Sequence, residues 1–194
     1  MTINPLWPHT IVILTGGQSR RMGFAKHELL RPDGTSLIEL ALDCATRAGK
    51  EVIVAGPEAV LPELKHVIDD GGGPLAGVVA TLESGIDEQY LFMPCDMPAL
   101  TPELLLQLAH GLGDHDAAIL RNPRSRKQAM LPLALQARTL PRARAAAEGT
   151  KRSIYSFLAN IDSIDLRITD DEASRMLNIN HPADWDNYLA TLGD

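Results

Sequence analysis

Two adjacent glycines and three cations share one short stretch of this chain, Thr15-Gly16-Gly17-Gln18-Ser19-Arg20-Arg21-Met22-Gly23-Phe24-Ala25-Lys26. Neighbouring glycines let successive backbone N–H groups point into one concavity, which is how a peptide binds an anion. Arg20, Arg21 and Lys26 add fixed positive charge to the same loop. Two glycines alone fit a plain strand-to-helix turn, but with three cations the segment reads as a phosphate cradle. It is not a Walker A loop, because no Gly-Lys-Ser/Thr closes it, and it is not Gly-x-Gly-x-x-Gly. A second segment, Pro94-Cys95-Asp96-Met97-Pro98, sets a carboxylate between two prolines that restrict the backbone and give Asp96 a defined direction. Magnesium is commonly held by one or two carboxylates plus substrate phosphates, so one such aspartate is sufficient in principle. The plainer reading of Asp96 is a turn residue that accepts from a local N–H. The third segment is Asp69-Asp70-Gly71-Gly72-Gly73-Pro74-Leu75-Ala76-Gly77. Its glycines suit either a flexible connector or a close backbone approach to a ligand, and Pro74 suits the first turn of a helix.

Other reactive residue types are less informative. The six histidines form no pair at metal-ligand spacing, and Ser19 has no recognisable elbow or partner histidine. Cys95 reads as a small apolar residue rather than a nucleophile.

The elements that must position these segments follow from periodicity. Ile11-Val12-Ile13-Leu14 is a short continuous apolar run, the mark of a parallel strand buried on both faces. Ser36 and Glu39 form a capping box that opens a helix with Ile38, Ala41, Leu42 and Ala45 on its apolar face, closed at Gly49. A second apolar strand, Val52-Ile53-Val54-Ala55, completes a βαβ unit. The alternation continues with a strand end at Val67-Ile68 and a helix from Pro74 to Gly85 that turns Leu75, Val78, Val79 and Leu82 to the core. A strand at Tyr90 to Met93 and a helix capped by Thr101 with Pro102 at its first position come next. Ala117 to Leu120 is a fifth strand. Beyond it the pattern predicts a strand over Met130 to Leu135, helices near 138–147 and 151–159, a strand near Ile164 to Ile168, and a last helix from Pro182 through Trp185 and Leu189. The class is α/β with a mostly parallel sheet. Ligands of such sheets bind beyond the carboxyl ends of the strands at the switch in strand order. That places the chemistry in the residues just after each strand: Thr15-Gly16-Gly17, Ala55-Gly56, Asp69-Asp70 and Cys95-Asp96.

Composition bounds the function. The chain has 194 residues, 45% hydrophobic and 22% charged, enough for one domain whose core needs no disulfide or metal staple. Cys44 and Cys95 make no disulfide framework and read as reduced thiols. Met1 to Pro5 lacks the basic-then-apolar pattern of a signal peptide, and no apolar run reaches membrane-helix length, so a soluble cytoplasmic protein is expected. A net charge of -7 and an aromatic content of 4% argue against a general nucleic-acid binder. The charge is uneven. Arg121, Arg124, Arg126, Lys127, Arg138, Arg142, Arg144, Lys151 and Arg152 face only Glu148 within that stretch, which fits either a solvated face or a receptor for an anionic substrate.

With these segments in view, Leu14 to Lys26 resembles the signature loop of the nucleotidyltransferases of the molybdenum cofactor, whose pattern runs Leu-Ala-Gly-Gly, then Arg-Met-Gly, then Asp-Lys. Gly73-Pro74-Leu75-Ala76-Gly77, Pro94-Cys95-Asp96-Met97-Pro98 and Asn178-Ile179-Asn180-His181-Pro182 are similar to further motifs of the molybdenum cofactor guanylyltransferases, in the same order. The resemblance covers essentially the whole chain. It implies a single Rossmann-like nucleotidyltransferase domain over 1–194, with a nucleotide-binding part about 10–110 and a pterin-facing part about 115–194. The implied activity is transfer of GMP from GTP to the phosphate of molybdopterin, with release of pyrophosphate. The implied GTP contacts are Leu14, Thr15, Gly16, Gly17, Lys26, Asp70 and Asp96. Arg21 and Lys26 neutralise the triphosphate, and Asp96 holds magnesium, with manganese as an alternative ion. Asn178 and Asn180, with Lys151 and Arg152, correspond to the part that faces the pterin. Beyond the substrates, molybdoenzyme apoproteins or their chaperones are the implied partners.

Four positions depart from the family pattern: Thr15 for Ala, Ala25 for the Asp before the lysine, Ala55 for a nucleotide-contacting Asn, and Leu131 for a His before proline. Cytidylyl relatives carry Leu-Ala-Ala-Gly and lack Gly-Pro-Leu-Ala-Gly, a contrast that favours GTP. The departures leave two alternatives open: a relative using CTP or another phosphate acceptor, and a carrier of nucleotide or cofactor without catalysis.

Overall fold

A computed structural model of the chain describes residues 6–15, 29–125 and 129–192. Gly16, Gly17, Arg20, Arg21, Ala25, Lys26, Arg126 and Lys127 lie outside the described residues. Strand β1 (Trp7–Leu14) is followed by helix α1 (Leu37–Ala48), β2 (Gly49–Gly56) and β3 (Lys65–Ile68). Helix α2 (Pro74–Ser84), β4 (Gln89–Pro94), α3 (Pro102–Gly111) and β5 (Ala117–Arg121) come next. The chain ends with β6 (Leu133–Gln136), a 3-10 turn at Ala137–Thr139, α4 (Leu140–Glu148), α5 (Ile154–Leu158), β7 (Ser163–Arg167), α6 (Asp170–Ser174) and α7 (Pro182–Ala190).

The strands form one sheet in the order β3-β2-β1-β4-β6-β5-β7. Every neighbouring pair is parallel except the two that involve β6, which runs against both β4 and β5. The expected strand at Met130 to Leu135 is therefore shifted: it begins at Leu133 and is the one reversed strand among those described. Helices cover both faces. One core joins Ile11, Ile13, Leu91 and Met93 to the inner sides of α1 and α3, and a second joins Val12, Tyr90, Phe92 and Leu133 to α2, α4 and α5. Alternate residues of β1 and β4 supply the two cores, the period-2 rule acting on strands covered on both sides. Burial of such a side chain stabilises by about 1.5–3 kcal/mol, which is why these strands read as unbroken apolar runs.

The helix signals are realised in detail. Ser36 Oγ accepts from the Glu39 N–H while the Glu39 carboxylate accepts from the Ser36 N–H at 2.7 Å, and Gly49 follows the helix end. Pro74 and Pro102 stand in the first turns of α2 and α3, and Gly85 closes α2 at φ 60°. Val79, expected in the core, is only half-buried. The helix expected near 151–159 is one short turn and a half at α5, and α6 has no counterpart in the sequence reading. α7 docks on α1 through Leu37, Ile179 and Trp185. Among the described residues no helix is long and apolar enough to cross a membrane.

Candidate functional site

The chain runs from β1 to β2 and β3 on one side, then returns to β4 on the other, so the order of the sheet switches between β1 and β4. Leu14 and Pro94 are paired across this point, and the Cys95 N–H donates to the Leu14 carbonyl at 3.2 Å. The start of the loop after β1 and the loop holding Asp96 thus leave the sheet side by side, which is the binding crevice of open α/β sheets.

Leu14 is buried, and Thr15 extends the β1–β2 ladder by donating its N–H to the Ala55 carbonyl at 2.9 Å. The Thr15 hydroxyl donates to the same carbonyl at 3.3 Å. The threonine that stands where the resemblance expects alanine therefore ties the loop's first residue to β2. Ala55 is buried inside β2.

Asp96 is half-buried, and its carboxylate accepts from the Asn178 side-chain amide at 2.8 Å. Its backbone carbonyl accepts the Ile179 N–H at 2.8 Å. Two of the sequence motifs, 82 residues apart, therefore meet at one carboxylate. The segment is secured from below by Ile179, buried against Leu37 and Trp185, and by the Asp184 carboxylate, which accepts the Asn180 and His181 N–H groups at 2.8 and 2.7 Å. Asn178 is half-buried and Asn180 exposed.

Beside this contact a cavity of about 610 Å³ opens beyond the carboxyl ends of β5 and β7. That volume is the size of a small-molecule site. Leu120, Ile168 and Met176 give it an apolar floor, and Asn122, Asn178 and Asn180 give it amides. Asn122 also donates to Asp170 at 2.8 Å, and Arg124 pairs with the same carboxylate at 2.9 Å, which fastens the cavity wall after β5 to the first turn of α6.

Asp70 is exposed, and its carboxylate accepts the Gly72 N–H at 2.9 Å within the loop before α2. Asp69 is half-buried and accepts the Gly71 N–H at 2.7 Å. Burial pushes its carboxyl above the usual carboxylate range, against the lowering effect of the Gly71 N–H. Lys151 and Arg152 are exposed and do not line the cavity.

Four cations of the basic stretch are paired with carboxylates. Arg121 pairs with Asp165, Arg124 with Asp170, Arg138 with Asp116 and Arg144 with Glu83. Among the described residues, Arg142, Lys151 and Arg152 form no ion pair. The thiol of Cys44 is buried in the core and pushed up to about 12 by that burial, so it stays protonated and inert. Sequence reasoning placed Asp69 in the segment after the third strand but did not single out Asn122 or Met176, because the cavity walls are assembled from segments distant in the chain.

A family described as the MobA-like NTP transferase domain matches residues 11–164. A probable molybdenum cofactor guanylyltransferase of Bacillus cytotoxicus is 28% identical over 62% of this chain, and the match spans 65% of that protein's length. One from Methanosarcina mazei is 27% identical over 92% of this chain and 88% of its own. Among solved structures, a molybdopterin-guanine dinucleotide biosynthesis protein A from Archaeoglobus fulgidus superposes with a TM-score of 0.80 at 21% identity, over 95% of this chain and 99% of that one. That likeness speaks to the fold, a Rossmann-like nucleotidyltransferase sheet. The family match spans the switch point and the Asp96 turn, and the chain belongs to the MobA-like NTP transferase family.

Proposed function

We propose that this nucleotidyltransferase transfers GMP from GTP to the phosphate of molybdopterin, giving the guanine dinucleotide and pyrophosphate. The observation that carries the reading is the Asn178–Asp96 hydrogen bond at the switch point, beside the start of the loop after β1. It joins the carboxylate expected on the nucleotide side to the asparagine motif expected on the pterin side. The names of the Bacillus and Methanosarcina relatives support the same activity.

In this reading the acceptor phosphate attacks the α-phosphate of GTP in line while pyrophosphate leaves, so the chain's work is positioning and charge neutralisation. Gly16 and Gly17 supply backbone N–H donors to the phosphates, and Arg21 and Lys26 neutralise them. Leu14 and Thr15 anchor the start of that loop to β4 and β2. Asp96 offers a hard carboxylate oxygen at the point where those phosphates arrive, a donor suited to magnesium or manganese completed by substrate oxygens. No group of three or more metal-ligating side chains occurs among the described residues, in keeping with a site that the substrate completes. A bound divalent ion supplies Lewis acidity toward the phosphoryl oxygens. Asn178 holds the Asp96 carboxylate in a fixed orientation. The cavity beyond β5 and β7, floored by Leu120, Ile168 and Met176, takes the flat pterin, with Asn122 and Asn180 as donors and acceptors to its polar edge. Lys151 and Arg152 supply positive charge for the acceptor phosphate in this reading.

The test is product analysis by mass spectrometry after incubation with molybdopterin, magnesium and either GTP or CTP. The guanine dinucleotide is the expected product. A cytosine dinucleotide, or nucleotide binding without any dinucleotide, would replace this reading with the cytidylyl or carrier alternative.

A further inference from the structure

The sheet ends in two edge strands, and they are finished differently. β3 spans only Lys65–Ile68 and opens on a lysine, the kind of short, charged edge that resists pairing. β7 spans Ser163–Arg167 and pairs with β5 over its whole length without a bulge. The Asp162 carbonyl accepts the Ala117 N–H at 3.1 Å, and the Ile168 N–H donates to the Arg121 carbonyl at 3.1 Å. Even-numbered residues of β7 therefore face β5, and the N–H and C=O groups of Ser163, Asp165 and Arg167 turn away from the sheet. All three residues are exposed, and no strand pairs with this row among the described residues. Neither proline nor glycine interrupts it.

The side chains alternate as well. Ile164 and Leu166 are half-buried on the α3 side, where Leu166 lies so close to Gly111 that a Cβ there would collide with it. Asp165 and Arg167 stand on the other face. Asp165 pairs with Arg121, while Arg167, in register beside Arg121, forms no ion pair among the described residues. Such a row can add the same strand of a second copy, running antiparallel about a twofold axis. Opposite residues must share a face, so the axis passes through a residue, and each register has its own charge consequence. Centred on Asp165 it opposes two carboxylates, and centred on Arg167 two guanidiniums. Centred on Leu166 it sets Asp165 of each copy opposite Arg167 of the other, with Leu166 against Leu166 and Ile164 against Ile168. Asp165 and Arg167 also carry the outward backbone groups, so each opposed pair can exchange two N–H···O=C bonds. One register satisfies backbone, charge and apolar pattern together.

We propose that β7 is a homodimer interface: two copies pair antiparallel about Leu166 into one continuous sheet, held by reciprocal Asp165–Arg167 pairs. The two β7 strands then run in opposite directions, so the cavities beyond their carboxyl ends open on opposite edges of the joined sheet and neither copy enters the other's site. The paired strand is five residues long, which makes a small interface, and a dissociation constant of about 1–100 µM is expected.

The experiment is analytical ultracentrifugation of the unmodified protein, Arg167→Glu, Asp165→Arg and an equimolar mixture of the two variants, across about 1–500 µM. The unmodified protein is expected to pass from monomer to dimer within that range. Arg167→Glu leaves only acidic side chains at the two opposed positions and Asp165→Arg only basic ones, so each alone should associate at least about tenfold more weakly. Mixing them sets acid opposite base again and should restore the dimer. Arg167→Pro deletes an outward N–H at a place where an edge strand tolerates proline, and it should be monomeric too. It stands in for the mixture should Asp165→Arg not fold. A protein that stays monomeric throughout, association undiminished in Arg167→Glu or Arg167→Pro, or a mixture of two folded variants that stays monomeric overturns the proposal.

Discussion

The two ends of β1 and β4 are built from the same pair of strands and treated in opposite ways. At the amino end, Asp87 sits just before β4 and is saturated. It accepts from His9 at 2.8 Å, from the Thr10 N–H and hydroxyl at 2.9 Å each, and from the Glu88 N–H at 2.7 Å. Burial pushes its carboxyl up, but the hydrogen bonds from His9, Glu88 and Thr10 outweigh this and hold it below the usual carboxylate range. At the carboxyl end, Asp96 is oriented by the Asn178 amide, and Asp69 and Asp70 by backbone N–H groups. One end closes the sheet by satisfying its carboxylate within the fold. At the other, the Asn178 amide and backbone N–H groups fix the direction of the carboxylates at the edge where strand order switches.

That contrast can be broken from either side. The largest effect is expected for Asp96→Asn: kcat for dinucleotide formation falls about a thousandfold, the scale of losing a placed electrostatic group, while the melting temperature stays within about a degree. Asn178→Ala should lower the rate about 10- to 100-fold and raise the magnesium concentration needed for half-maximal rate, as loss of a residue that orients a metal carboxylate does. Asp87→Asn reverses the pattern. It should cost about 1–3 kcal/mol of stability in denaturant titrations at neutral pH, with turnover at low temperature unchanged.

The sign with pH follows from the direction of the Asp87 shift. A carboxyl held below its unfolded value stabilises the fold above that value, about pH 4, and the contribution is lost as pH falls through the folded value. The acid limb of a stability–pH curve should therefore be shallower in Asp87→Asn. The smallest effect is expected at Ser36→Ala, which removes one acceptor of the capping box and should cost about 1 kcal/mol with activity unchanged.

The local part of the fold is legible in the sequence. Ser36 with Glu39, Thr101 with Pro102, and Gly85 after α2 act through neighbours a few residues away, and the continuous apolar runs of β1, β2 and β4 report burial on both faces wherever their partners lie. The direction of β6 depends on pairing Leu133 with Phe92 and Ile119, contacts that leave no trace in its own few residues. The same limit governed charge. The cations between Arg121 and Arg144 counted as an excess because Asp165, Asp170, Asp116 and Glu83, which neutralise four of them, stand elsewhere in the chain. In the site, the segments after the strands and the Asp96 turn were legible from the strand–helix alternation and the flanking prolines. The Asn178–Asp96 contact was not, since only the docking of Ile179 and Trp185 on α1 brings the two motifs together. Arg21 and Lys26, which the proposed mechanism needs, lie outside the described residues.

The central claim is transfer of a guanylyl group to a pterin phosphate. Its most direct measurement is pyrophosphate release from GTP and from CTP, with magnesium, in the presence and absence of molybdenum-loaded molybdopterin. The account predicts release from GTP only when the pterin is present, and little from CTP. Release from CTP in preference to GTP, or GTP binding with no pterin-dependent release, would contradict it.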